Sequence, residues 1–409
     1  MNRVVFLVDM NAFFMSCESS RRPELRGKPA AVAGDPQKRS GIILAASYEA
    51  RAFGIKTTMT VQDAKRRCPE LVLLPPDQRF YSARSKEVME LLQSFSPIVE
   101  QNSIDEAWLD MTGGENLFGP PLQAAKTIMD RIETELGLWC SIGIAENKFL
   151  SKMASELNKP HGISTIWPSE VPTKLWPLPV GHMYGIGRKS AEKLEQLQIF
   201  TIGELARQSI NRIYPLFGKS SEEILRLANG QDDSPVAASD SDSIKSIGRS
   251  TTLSVDLTSL EAAKLVLMDL SEEVGHSARA HGKFGRTVQI TLKYSDFKVI
   301  TRQSSVPATN LTKDIIEAGN GLLEKNWSTS KPVRLIGISL TGFDEQTDQL
   351  SFFDAGFMST GAEDGAMQGV QVRDERESRL ESAIDSIRNK YGSDSLKRAA
   401  LIKKGRNPR

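Results

Sequence analysis

The feature that most limits the fold is a short apolar run near the start of the sequence, Val4-Val5-Phe6-Leu7-Val8, which stops abruptly at Asp9-Met10-Asn11. A continuous, β-branched run of this length predicts a strand buried on both faces. The carboxylate of Asp9 then stands at the end of a buried strand. An acidic pair, Asp105-Glu106, falls on a hairpin whose strands are read at 98–100 and 107–110, around Gln101-Asn102-Ser103. Carboxylates rarely sit in apolar surroundings without a cation or a network of donors. The residues alone leave two readings open. In one, Asp9 caps a helix and Asp105 and Glu106 lie in an exposed turn. In the other, the three acids converge on divalent metals, as phosphoryl transfer to a sugar hydroxyl requires.

At 409 residues the chain exceeds one ordinary core, so two to four domains are expected. Lys and Arg (52) nearly cancel Asp and Glu (51), and a net charge of +1 leaves any polyanionic partner to local patches. Cys17, Cys68 and Cys140 lie far apart without paired ligand spacing, which predicts reduced structural thiols and a cytoplasmic protein. Asp9 interrupts the first apolar run too early for a signal peptide or a spanning helix, so no membrane association is expected.

Residues 12–76 read as a mostly helical insertion, with turns at Arg26-Gly27-Lys28-Pro29 and Ala33-Gly34-Asp35-Pro36 and a close at Leu74-Pro75-Pro76. Helices at 78–95, 121–135 and 148–157 with a strand at 141–145 predict an α/β sheet covered by helices on one face. Residues 167–230 suggest a small α domain, and the Asp- and Ser-rich stretch 230–243 reads as a linker. Beyond it, strands at 287–294, 299–304 and 333–340 alternate with helices at 262–280 and 311–325. In the tail, Leu380, Ala383, Ile384 and Ile387 recur at helical spacing and predict a helix that needs a partner surface.

Four motifs then become specific. Asp9-Met10-Asn11-Ala12-Phe13-Phe14, Ala46-Ser47-Tyr48-Glu49-Ala50-Arg51, Ser103-Ile104-Asp105-Glu106-Ala107, and Gly143-Ile144-Ala145-Glu146-Asn147-Lys148 with Asn158-Lys159-Pro160-His161-Gly162 resemble, in that order, the motifs of Y-family DNA polymerases. The resemblance covers roughly residues 1–353. It implies an α/β multidomain right hand: a ferredoxin-like palm (1–11 and 77–166), small fingers (12–76), a helical thumb with a helix-hairpin-helix (167–230), a linker (231–243), an α/β little finger (244–345) and a tail (346–409). It implies that Asp9, Asp105 and Glu106, with the main-chain carbonyl of Met10, hold two Mg²⁺ ions for catalysis, in keeping with all-oxygen ligation. Tyr48, Arg51 and Lys159 then grip the triphosphate of a dNTP; Tyr48 and Arg51 are spaced to share one helix face. Phe14 matches the steric gate that excludes a ribose 2′-hydroxyl, with Phe13 beside it, although the residues alone allow both rings to be core. Ser40, Gly41 and Ala46 are small residues suited to a roomy site for damaged templates.

Gly185-Ile186-Gly187 with Lys189 resembles the phosphate-binding turn of a helix-hairpin-helix, which positions a duplex without reading bases. Lys245, Ser246 and Arg249 resemble the opening of the little finger. That region has no large basic excess, so its basic residues must be sorted to one face to grip DNA. Gln349, Leu350, Phe352 and Phe353, within 349–353, resemble a sliding-clamp-binding peptide. The expected activity is template-directed, error-prone translesion synthesis without proofreading, by a monomer acting on primer-template DNA and dNTPs. Trp108 stands where the family often has Tyr, and Asn11 where some members have an acid. A non-catalytic, clamp-recruited repair factor and a nucleotide cyclase are the rival readings.

Overall fold

A computed structural model describes residues 3–36, 39, 41–238, 244–328, 331–343, 364–392, 395, 396 and 398–401, with 364–375 and 400 described by their backbone alone. Ser40, the linker positions 239–243 and the clamp-like Gln349, Leu350, Phe352 and Phe353 lie outside the described residues. The chain divides into two compact units, Met1–Pro36 with Gly41–Asp240, and Ser241–Arg409 with Gln37–Ser40.

The opening run forms β1 (Val5–Met10), buried along its whole length. It is followed by α1 (Phe13–Arg21), β2 (Ala30–Ala33), β3 (Ile43–Ala46), α2 (Tyr48–Ala52), α3 (Val61–Arg67) and β4 (Val72–Leu74). Next come α4 (Gln78–Gln93), β5 (Val99–Gln101), β6 (Glu106–Asp110), α5 (Glu115–Phe118), α6 (Pro121–Leu136), β7 (Cys140–Ala145), α7 (Lys148–Ser155) and β8 (Ile163–Ile166). One sheet has the order β5-β6-β1-β7-β8, with β1 central and antiparallel to both neighbours. Phe6, Val8 and Met10 pack with α4 and α6, whereas Val5 and Leu7 face Trp108 and Val236. Full burial of a side chain such as Phe6 or Leu7 contributes about 1.5–3 kcal/mol. α7 crosses the second face so closely that a Cβ at Gly143 would lie 2.0 Å from the main-chain oxygen of Ser151. Helices therefore cover both faces, not one as the order of elements predicts. The close approach uses Gly143, Ser151 and Ser155, which carry no apolar signal.

Residues 12–76 are also less helical than expected, because β2, β3 and β4 form a three-stranded sheet of order β3-β2-β4. Ala30-Ala31-Val32-Ala33 reads as helix by propensity, but all four residues are buried in this small sheet, and tertiary context overrides the preference. The thiols of Cys17, Cys68 and Cys140 are free and buried, and burial pushes that of Cys17 up to about 12.

After β8 come α8 (Arg188–Gln196), α9 (Ile202–Ala206), α10 (Ile210–Phe217) and α11 (Ser221–Ala228), closed around Val180, Leu194, Ile202, Leu205 and Ile213. The polar stretch that follows is not free linker over 231–238. Val236 is buried against Leu7 and Trp108, Asp232 accepts from Phe149 N at 3.0 Å, and Glu100 accepts from Ala237 N at 2.9 Å. Carboxylates meeting main-chain N–H groups, with one valine, attach a segment whose composition gives no apolar pattern.

The second unit contains β9 (Ser246–Leu257), α12 (Leu260–Ala280), β10 (Gly285–Tyr294), β11 (Val299–Thr309), α13 (Thr312–Asn326), β12 (Val333–Phe343) and α14 (Asp364–Tyr391). Its sheet, of order β11-β10-β12-β9, packs one face on α12 and α13 through Leu267, Val274, Ile290, Ile315 and Ile338. The tail helix α14 does find a partner surface within this unit, but not through the face that its apolar spacing predicts. Leu380, Ala383 and Ile387 stay exposed, and the side turned inward carries Glu381, Asp385 and Arg388. Arg279 of α12 lies 2.6 Å from Asp385 and 3.1 Å from Glu381, while Arg388 pairs with Glu272 and Arg398 reaches Glu272 at 2.8 Å.

Candidate active site

Asp9 and Glu106 are direct partners in the β1–β6 ladder, so strand pairing itself brings the two carboxylates together. Asp105 precedes β6; its main-chain oxygen accepts from Met10 N at 2.9 Å and its carboxylate from Ser103 Oγ at 2.6 Å. Asp9, Met10, Asp105 and Glu106 line one cleft of about 390 Å³, which Phe13, Phe14, Tyr48, Arg51 and Lys159 also line. Lys152, on α7, lies among them and is a residue that sequence reasoning missed. Its Nζ is 3.0 Å from Asp9 Oδ2 and also bonds Glu106, while Lys159 Nζ is 2.8 Å from Asp9 Oδ1 and 2.6 Å from Glu156. Burial pushes Asp9 up, but the ammoniums of Lys159 and Lys152 outweigh it and hold the carboxyl below its usual range. Lys152 is driven the other way: burial lowers it, and Asp9 and Glu106 raise it well above the usual lysine value. Its sequence signal was the Lys152/Glu156 spacing of one helical turn.

Among the described residues, no three His, Cys, Asp or Glu side chains already stand as a ligand cluster. The reason is local, since Ser103 engages Asp105 and Lys152 bridges Asp9 and Glu106. The donor chemistry nonetheless fits a hard divalent cation, being all carboxylate and carbonyl oxygen with a cation already bracketed by two of the acids.

Around this centre, Ser47 caps α2 by accepting from Ala50 N, and the Arg51 guanidinium lies 4.7 Å from the centroid of the Tyr48 ring. Phe13 is buried in the core, whereas Phe14 is half-buried and stacks on Tyr81 with centroids 4.4 Å apart and planes at 13°. Tyr81 OH in turn donates to Glu18 at 2.8 Å, and Glu18 is itself buried. Asn11 joins the end of β1 to the segment carrying Lys159: its Nδ2 donates to Ser141 Oγ at 3.0 Å and its Oδ1 accepts from His161 N at 2.7 Å. The amide of Asn11 thus both donates and accepts at this junction.

Three family models match the chain: the impB/mucB/samB family over residues 8–156, the IMS family HHH motif over 168–199, and the impB/mucB/samB family C-terminal domain over 244–352. DNA polymerase IV of Clostridium kluyveri is 51% identical over 409 residues, covering 100% of both chains. DNA polymerase IV of Alkaliphilus oremlandii is likewise 51% identical, over 98% of this chain and 100% of its own. The chain belongs to the Y family of DNA polymerases. DNA polymerase IV 1 of Bacillus subtilis is 38% identical over 98% of this chain and 94% of its own. A solved Y-family DNA polymerase chimera superposes with a TM-score of 0.73 at 25% identity, covering 83% of this chain and 99% of that one. The right-hand fold with a helix-hairpin-helix thus holds, and membership makes the chain a DNA-directed DNA polymerase.

In this Y-family chain the thumb turn is only partly as the motif suggests. Gly185 has φ +90° with open space around it, Gly187 is the N-cap of α8 and Lys189 is exposed, but the Ile186 side chain is buried in the thumb core. In the little finger, Lys245 and Ser246 are exposed, whereas Arg249 turns to the helix side and bonds Glu273 at 3.2 Å. Arg249 is therefore not on the open face of the sheet. That face carries hydroxyls and amides in cross-strand register: Ser246 opposite Thr341, Thr341 opposite Thr287, Ser339 opposite Gln289, Gln289 opposite Gln303.

Proposed function

We propose that this polymerase performs error-prone translesion synthesis without proofreading, joining a dNTP to a primer 3′-hydroxyl at Asp9, Asp105 and Glu106 with two Mg²⁺ ions. The observation that carries the reading is the meeting, in one cleft, of the three acids with Phe14, Tyr48, Arg51 and Lys159. Bound Mg²⁺ would supply Lewis-acid polarisation of phosphate oxygens and charge neutralisation in the displacement. Asp9 and Glu106 hold that charge at the end of β1, and Asp105 joins them from the adjoining turn. Tyr48 and Arg51, on α2, offer a hydroxyl and a guanidinium to the triphosphate, and Lys159 a point charge. Phe14, backed by Tyr81, excludes the 2′-hydroxyl by occupying its space.

The same proposal assigns palm to 1–11 and 77–166, fingers to 12–76, thumb to 167–230 and little finger to 244–345. Primer-template DNA would lie against the turn at Gly185 and Gly187 and the hydroxyl-rich sheet face, as phosphate contacts that position without reading sequence suit. Residues 349–353 would bind the sliding clamp and raise the effective concentration at the primer end. The enzyme would act as a cytoplasmic monomer; among the described residues no helix is long and apolar enough to cross a membrane.

Extension of a labelled primer in Mg²⁺, with dNTPs and rNTPs offered separately, tests this. The wild type is expected to add deoxynucleotides, Asp105→Ala/Glu106→Ala to add none, and Phe14→Ala to admit ribonucleotides. A wild type that binds primer-template but stays inert, even with a loaded clamp, would leave the non-catalytic reading in its place.

A further inference from the structure

Lys152 has more carboxylate contacts than any role in gripping phosphate would require. Its ammonium lies 3.0 Å from Asp9 Oδ2 and 3.5 Å from Glu156 Oε1, and it bonds Glu106 as well. An ammonium has three protons and no acceptor, so three carboxylates satisfy it completely. The contacts are shielded: the side chains of Lys152, Asp9 and Glu106 are 14%, 12% and 12% exposed. Lys159 closes a ring through Asp9 and Glu156, at 2.8 and 2.6 Å. Lys148, one turn earlier on α7, is committed elsewhere, 2.6 Å from Glu100 and over the Trp108 ring.

α7 sits directly on Gly143, so the backbone that carries Lys152 is held close against the sheet and cannot move nearer to it. Rotation of the flexible Lys152 side chain is enough to remove its charge from between Asp9 and Glu106. The oxygens it holds are those that a divalent ion shared by these two acids needs, and like charges repel strongly at such distances when water is largely excluded.

We infer that Lys152 is the resident counterion of the catalytic pair, holding Asp9 and Glu106 side by side and setting the affinity for the divalent cation that displaces it. This rests on the reading of Asp9 and Glu106 as metal ligands. Lys152 is a positioning residue by this account, since it acts through the carboxylates.

The test measures Mn²⁺ binding to the full chain, without nucleotide or DNA, from the electron paramagnetic resonance signal of free Mn²⁺. Lys152→Met and Lys152→Gln are expected to bind Mn²⁺ about tenfold more tightly than wild type, and Lys152→Arg about as wild type does. A lysine with a merely structural role would weaken binding on removal or leave it unchanged. In EDTA, Lys152→Met should melt below wild type, and saturating Mn²⁺ should close the gap. Lys152→Gln keeps a hydrogen-bond donor between the acids and serves if the Met variant does not fold. Equal or weaker binding by the variants, with wild type binding normally, overturns the inference alone. No Mn²⁺ binding by any of the chains, wild type included, overturns the metal-ligand reading with it.

Discussion

Phe14 is supported by a residue that lies outside all four sequence motifs. Its ring is stacked on Tyr81, which is anchored by a hydrogen bond to Glu18, 63 residues away in sequence. A stacked pair of this kind is worth about 0.5–1.5 kcal/mol beyond its buried area, enough to favour one orientation of the Phe14 ring. Tyr81→Ala is predicted to raise ribonucleotide incorporation about tenfold relative to deoxynucleotide, read from single-nucleotide insertion rates. Tyr81→Phe keeps the stack but takes a donor from buried Glu18; it should leave sugar choice unchanged and cost about 1–2 kcal/mol in denaturant unfolding. Phe14 was legible in the sequence because it sits in a motif next to Asp9. Tyr81 was not, because no spacing connects a residue of α4 to one of α1.

At the scale of elements, the tail helix shows how apolar periodicity misleads when charge does the docking. Arg279→Ala would remove the guanidinium shared by Asp385 and Glu381, leaving them His276 and Arg398, and is predicted to cost about 3 kcal/mol, seen as a lower melting temperature. The contact has a definite pH dependence. Burial pushes Asp385 up, but hydrogen bonds from Arg279 and His276 prevail and hold its carboxyl below the usual value of 3.8. A depressed folded pKa stabilises fully above that unfolded value, and the contribution is lost as pH falls through the folded one. Arg279 and His276 face Asp385 from α12, and Glu381 lies one turn back on α14, so wild type should outmelt Asp385→Asn at pH 6, with the gap shrinking below about pH 4. The sheet of the same unit supports a separate prediction. Gln289→Glu with Gln303→Glu adds two charges to the open face, away from the helices. Primer-template affinity should fall about tenfold in low salt while the melting temperature holds, measured by fluorescence anisotropy.

At the scale of the whole molecule, the two compact units each carry a core of their own. The segment 244–401, expressed alone, is predicted to melt cooperatively, because the side chains that close its core all come from within it. A non-cooperative profile by circular dichroism would show that the unit needs the rest of the chain. Much of this organisation was legible beforehand: a buried first strand, an acid at its end, an acidic hairpin, a helical stretch and a second α/β segment all follow from local pattern. The motif residues of the cleft were legible too, since each is marked by its immediate neighbours. What only the tertiary structure decided were the relations across distance in the chain. These include the pairing of Asp9 with Glu106, the bridging by Lys152, the support of Phe14 by Tyr81, the strapping of 231–238 to the sheet, and the charged face by which α14 docks. The physical reason is common to all of them. Periodicity records which side of an element avoids water, while hydrogen bonds, ion pairs and small-residue contacts leave no periodic trace, and their partners are selected only when the backbone closes around them.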